Sequence, residues 1–170
     1  MKTLITAEEL MSILAGAHAP VLLDCGFDLA DTAAGRRAYD EGHLPGARYL
    51  HLDDELSGPK HDAQGRFRGR HPLPARDVFA SALGRLGIGP ATPVVAYDAQ
   101  GGPYAARAWW LLRWMGHEDV AVLDGGVAAW RAAGGTLHTA PPAYAPASYP
   151  LHAVAMATLG AYTIVTQVPP

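Results

Sequence analysis

Chemistry in this 170-residue sequence could come from three places. Asp98 closes an apolar run, Pro93 to Tyr97, and enters the stretch Ala99-Gln100-Gly101-Gly102 before a helical pattern starts at Pro103. In open α/β sheets such a strand-to-helix junction is where anions bind and nucleophiles are activated. A carboxylate there is a stabilised anion and not the nucleophile that a thiolate in the same place would be. An aspartyl-phosphate enzyme would want further acidic residues beside Asp98, which the next four positions do not supply. A phosphatase of the cysteine-and-arginine loop type lacks its cysteine there. The single cysteine, Cys25, ends another apolar run, Val21-Leu22-Leu23-Asp24, and reads first as a small buried hydrophobe. The alternative makes Cys25 the reactive thiol of a redox or sulfur-carrier protein. The third place is a long polar connection, Asp53 to His71, with Arg66, Arg68 and Arg70 at alternate positions. Loops of that length are usually functional or mobile. Its arginines form either a solvated face or a rim that attracts a small anionic substrate.

The elements that must position these side chains follow from periodicity. Thr6 with Glu9 three positions on forms a capping box, opening a helix through Ala15 with Leu10, Ile13 and Leu14 on its apolar face. Val21 to Cys25, Arg48 to Leu52, Pro93 to Tyr97 and Val120 to Leu123 read as strands. Between them, helices are expected over Gly35 to Tyr39, over Arg76 to Gly87 with Val78, Phe79, Ala82, Leu83 and Leu86 buried, from Pro103 to Gly116, and over Val127 to Ala133. Gly42-His43-Leu44-Pro45-Gly46-Ala47 supplies a tight turn in which His43 is more plausibly structural than catalytic. The alternation implies an α/β domain, a parallel sheet with helices on both faces joined by right-handed crossovers.

Composition narrows the classes. With 49% apolar residues, 13 Lys plus Arg against 16 acidic residues and a net charge of −3, neither disorder nor a general nucleic-acid surface is expected. One cysteine closes no intramolecular disulfide, and Met1 to Ala17 mixes Lys2, Glu8 and Glu9 among its apolar residues instead of forming a signal peptide's apolar core, so a cytoplasmic, reducing compartment is expected. No segment has the length of a membrane span, and no metal or cofactor is expected. The domain is expected over residues 1–138, a stiff Pro-rich linker over 139–150, and a tail without Asp, Glu, Lys or Arg over 151–170, too short for a second domain.

Tyr97-Asp98, Ala105-Ala106-Arg107-Ala108-Trp109-Trp110, Leu112-Arg113-Trp114-Met115-Gly116-His117, Val122-Leu123-Asp124-Gly125-Gly126 and Trp130 together resemble the N-terminal half of tandem-domain rhodaneses, the thiosulfate and 3-mercaptopyruvate sulfurtransferases. The Gly42–Ala47 turn resembles that family's signature, and the resemblance spans roughly Val21 to Trp130. It implies a rhodanese-like fold. It also implies that the persulfide cysteine belongs to a second, C-terminal-type domain, since Asp98 matches the position where the N-terminal half commonly carries aspartate. In the mercaptopyruvate enzymes the N-terminal half is thought to lend a histidine before a Leu-Pro pair, and an aspartate from the preceding loop, to the partner's active site. His71-Pro72-Leu73-Pro74 and Asp53 match those positions, with a turn-capping histidine as the plainer alternative. The implied partners are a small anionic sulfur donor and a cysteine-bearing rhodanese domain, in cis or in trans. A non-catalytic interaction module is the rival class.

Overall fold

The computed structural model describes residues 1–151; the expected tail lies outside them apart from Leu151. Strands β1 (Leu4–Ile5), β2 (Val21–Asp24), β3 (Arg48–Tyr49), β4 (Val94–Tyr97) and β5 (Val120–Leu123) form one parallel sheet in the order β1-β5-β4-β2-β3. Helices α1 (Ala7–Leu14), α2 (Ala34–Glu41), α3 (Arg76–Arg85), α4 (Pro103–Trp114) and α5 (Gly126–Ala132) connect or follow them. The pair Leu4–Ile5 was not expected as a strand, because two residues carry no readable alternation; it is defined by pairing with Val122 and Leu123.

Both faces of the sheet are covered, and the alternation of side chains shows how. Leu23, Val94, Ala96, Val120 and Val122 pack with Phe79, Leu83, Ala105, Ala108 and Leu111 of α3 and α4. Their neighbours Leu22, Val95, Tyr97, Ala121 and Leu123 pack with Leu10, Tyr39 and Trp130 of α1, α2 and α5. A strand buried on both faces needs an unbroken apolar run, which β4 and β5 have. The capping box of α1 is formed, Glu9 N–H donating to Thr6 Oγ1 and Thr6 N–H to the Glu9 carboxylate, each at 3.2 Å. Two apolar-face expectations are corrected. Ile13 and Val78 are exposed: the buried face of α1 is Ala7 and Leu10, that of α3 is Phe79, Ala80, Ala82, Leu83 and Gly84, and those two side chains fall on the other side of each helix.

The chain runs from β2 outward to β3, then returns through α3 to β4 on the other side of β2. The carboxyl ends of β2 and β4 therefore flank the point where strand order reverses, the usual place for a ligand crevice.

Residues 139–150 contain no helix or strand and lie against this body. Ala147 N–H donates to Gly84 O at 2.9 Å, Arg48 sits over the Tyr144 ring at 4.2 Å, and the Tyr149 ring stacks on His117. His117 is buried, its Nε2 within 2.7 Å of Thr92 O and its Nδ1 within 3.1 Å of the Tyr149 hydroxyl. That arrangement suits the neutral ring, with Nε2–H donating and Nδ1 accepting. Burial lowers the His117 pKa from its ordinary value. A folded-state value below the unfolded one means that stability is present above the unfolded pKa, near 6.5, and is lost as pH falls through the folded value. Protease cleavage within residues 139–150 is accordingly expected to accelerate between pH 7.5 and about 5.5. His117→Gln should flatten that dependence, and a rate unchanged with pH in the wild type would count against His117 as the latch.

Candidate functional site

The β4–α4 loop wraps its own carboxylate. Asp98 is 1% exposed, and its two oxygens accept four backbone N–H bonds: Oδ1 from Gln100 (3.0 Å) and Gly102 (2.8 Å), Oδ2 from Tyr104 and Ala105 (both 3.0 Å). Pro103 at the first turn of α4 removes one N–H that would otherwise need a partner. The carboxylate thus fills the anion position that helix and loop create. Its main chain is fixed from below, since Asp98 O accepts from Val127 N–H at 3.2 Å. Gly126, with φ 52°, lies so close that an added Cβ would stand 2.0 Å from that oxygen. Glycine at 126 is required by this close approach, whereas Gly125, with φ 70°, would carry its Cβ to 2.7 Å from that of Ala129.

Cys25 sits beside this loop, its N–H bonded to Tyr97 O at 2.8 Å. Its thiol is fully buried and points toward Leu23 O. Burial, and then the charges of Asp24 and Asp98, push the thiol pKa well above its ordinary value. A buried, protonated thiol is a poor nucleophile. Alkylation of the folded protein is expected to run roughly a hundredfold or more slower than in denaturant, since the reagent must wait for local opening. Labelling at the free-thiol rate would revive the sulfur-carrier alternative.

The long loop brings together residues eighteen positions apart. His71 Nδ1 and Asp53 Oδ1 are 3.1 Å apart, and both side chains are about one-fifth exposed. The carboxylate also has Lys60 Nζ at 3.7 Å, a cation that sequence reading did not single out. The ring of Phe27 lies edge-on to His71 at 6.3 Å and to Tyr104 at 5.6 Å. Since Tyr104 N–H holds Asp98, the pair His71–Asp53 and the Asp98 loop are linked through Phe27. Phe27 carried no sequence signal because its role depends on a tertiary contact.

The three arginines are not equivalent. Arg66 is bonded to Asp62 within its own turn at 2.7 Å, so most of its charge is compensated locally. Arg68 and Arg70 are exposed, and among the described residues neither side chain has a hydrogen-bonded partner or ion pair. His43 is buried, stacks on Tyr39 at 3.9 Å and bonds Tyr39 O through Nδ1 at 2.8 Å, which places it in the packing of α2.

A separate cavity of about 460 Å³ opens beyond β2, lined by Asp24, Gly26, Tyr39, Gln100 and Arg131 among others. Burial raises the Asp24 pKa, against the hydrogen bond from Gly26 N–H. This cavity does not include His71 or Asp53. Among the described residues no cluster of His, Cys, Asp and Glu could hold a metal ion, and no helix is long and apolar enough to cross a membrane.

Comparison with known proteins gives the context for this geometry. The family model of the rhodanese-like domain matches residues 6–133. A Pseudomonas aeruginosa protein named as a probable 3-mercaptopyruvate sulfurtransferase is 45% identical over 132 residues, covering 77% of this chain and 45% of that protein. A Mycobacterium tuberculosis protein provisionally named thiosulfate sulfurtransferase SseB is 44% identical over 138 residues, covering 81% of this chain and 47% of that protein. The solved 3-mercaptopyruvate sulfurtransferase from Leishmania major superposes with a TM-score of 0.74 at 27% identity, over 88% of this chain and 39% of that one. The chain thus spans less than half the length of each of these proteins.

Proposed function

Because this chain belongs to the rhodanese-like domain family, we propose that it is the part of a sulfurtransferase that lacks the persulfide cysteine and completes the active site of a cysteine-bearing rhodanese domain, in cis or in trans. The observation that carries this reading is the Asp98 loop, in which a carboxylate already occupies all four amide donors. A thiolate persulfide would need those same donors, and a carboxylate cannot substitute for it in sulfur transfer.

What this domain adds is the Asp53–His71 pair. With Nδ1–H donated to Asp53, the imidazole presents Nε2 as a proton acceptor, oriented by the carboxylate. When a cysteine thiolate of the partner domain takes the sulfur of 3-mercaptopyruvate, the C–S bond breaks to leave pyruvate enolate, so the thiol proton has to pass from sulfur to that carbon; the role proposed for His71 is to take it from the sulfur and return it to the enolate. Arg68 and Arg70 supply the positive field that draws such an anion toward the loop, with Arg66 partly neutralised by Asp62. The reading keeps thiosulfate as a second donor that needs no proton removed.

The purified chain alone is expected to show no sulfur transfer from thiosulfate or 3-mercaptopyruvate to cyanide, and activity should appear when a cysteine-bearing domain is joined or added. Turnover by this chain that disappears in Cys25→Ser would overturn the assignment. Should added cysteine domains bind without any gain in rate, the non-catalytic interaction module becomes the better reading.

A further inference from the structure

The His71 loop is not held by its own residues alone. Its two limbs come together at a neck, where Gly58 N–H donates to Pro72 O at 2.9 Å. They are so close there that a Cβ on Gly58 would lie 2.6 Å from Leu73 O, so only glycine fits without displacement. Above this neck lies the guanidinium of Arg107 from α4. Its Nε donates to Leu56 O at 3.0 Å on one limb, and its Nη2 to His71 O at 2.9 Å and Pro72 O at 3.2 Å on the other.

We propose that Arg107 is a positioning residue: it fastens both limbs of the loop to α4 and thereby sets the direction of the His71 ring toward Asp53. The consequence for catalysis rests on the functional reading above, whereas the positioning itself rests on this geometry. Three features argue for it. Among the described residues Arg107 has no carboxylate within ion-pair distance, so carbonyl oxygens compensate its charge, and three of them would lose a donor without it. One of those oxygens belongs to His71 itself, so the bond fixes the main chain from which the imidazole projects. Finally, Arg107 stands one turn beyond Tyr104, whose N–H holds Asp98, so one helix sets both the Asp98 loop and the histidine.

A fork of donors suits the task in a way that a point charge does not. Nε and Nη2 of one rigid plane reach two separate limbs, while a lysine ammonium in the same space reaches one. A side chain that served only general packing would affect the whole fold and not the histidine selectively, and that difference is measurable.

The test uses the isolated chain, labelled with ¹⁵N, at a pH where imidazoles are neutral. Ring nitrogen shifts report the tautomer of His71, expected as Nδ1–H in the wild type because Asp53 accepts that proton. In Arg107→Met the population should move toward Nε2–H, and exchange of the Gly58 amide should quicken by roughly tenfold or more. His117, which donates from Nε2 to Thr92 O elsewhere in the fold, is the internal control and should keep its signals. Arg107→Lys should fold and give an intermediate His71 shift, and it decides the matter if the methionine variant does not fold. Wild-type His71 signals and Gly58 exchange in the lysine variant would overturn the proposal, as would His117 moving as far as His71. If His71→Ala retains full turnover beside a cysteine-bearing domain while the tautomer still shifts in the Arg107 variants, the functional reading fails and the positioning stands.

Discussion

Replacing His71 with alanine, in the chain joined to or mixed with a cysteine-bearing rhodanese domain, is expected to reduce 3-mercaptopyruvate turnover by roughly 10²- to 10⁴-fold, the usual span for loss of one general acid or base. Thiosulfate turnover should change little. The two donors differ in the proton: the mercaptopyruvate sulfur carries one at neutral pH, and thiosulfate has none to remove. The base must be within reach, neutral and oriented, and the 3.1 Å bond from Nδ1 to Asp53 orients it. Asp53→Asn should give a smaller loss of the same kind, because an amide oxygen can still accept from Nδ1 but does not stabilise the imidazolium that forms. Lys60, at 3.7 Å from the same carboxylate, should matter less still, being half exposed. The measurement is steady-state turnover with both donors for each variant. Equal losses with both donors would point to a disrupted loop instead of a lost base, and unchanged rates with both would leave His71 as a turn residue.

Asp98→Asn is expected to be the most destabilising near-isosteric change in the molecule, on the order of 2–6 kcal/mol, since each buried donor left unpaired costs about 1–3 kcal/mol. Four N–H groups converge on two oxygens, so an amide cannot be accommodated in either orientation. If its NH₂ replaces Oδ1 it faces the donors of Gln100 and Gly102; if it replaces Oδ2 it faces those of Tyr104 and Ala105. Two donors are left without an acceptor each time, and the negative charge at the start of α4 is lost as well. Denaturant unfolding of the variant against wild type reads this directly. A change below about 1 kcal/mol would show that water or a rearranged loop satisfies those donors, and that Asp98 is not the anion this turn is built around.

The sequence by itself determined the alternation of strands and helices, the sheet class and the place of Asp98. Those features rest on local rules: apolar runs of strand length, helical spacing from Pro103 onward, and glycines after the strands. It also put Asp53 and His71 on one loop. Only the tertiary structure decided that they meet, because ends eighteen positions apart are brought together by bonds that no local rule predicts, Gly58 N–H to Pro72 O at the neck and the fork of Arg107 from α4. Arg107 stands in a stretch that carries the family resemblance, yet its role, like that of Phe27, was not legible, since an arginine among Ala105, Ala106 and Ala108 looks like one side of any helix until the carbonyls it reaches are known. The same holds for the exposed Ile13 and Val78, whose helical spacing fits a buried face. Periodicity defines a stripe, but the sheet beneath accepts only part of it, and the choice belongs to packing.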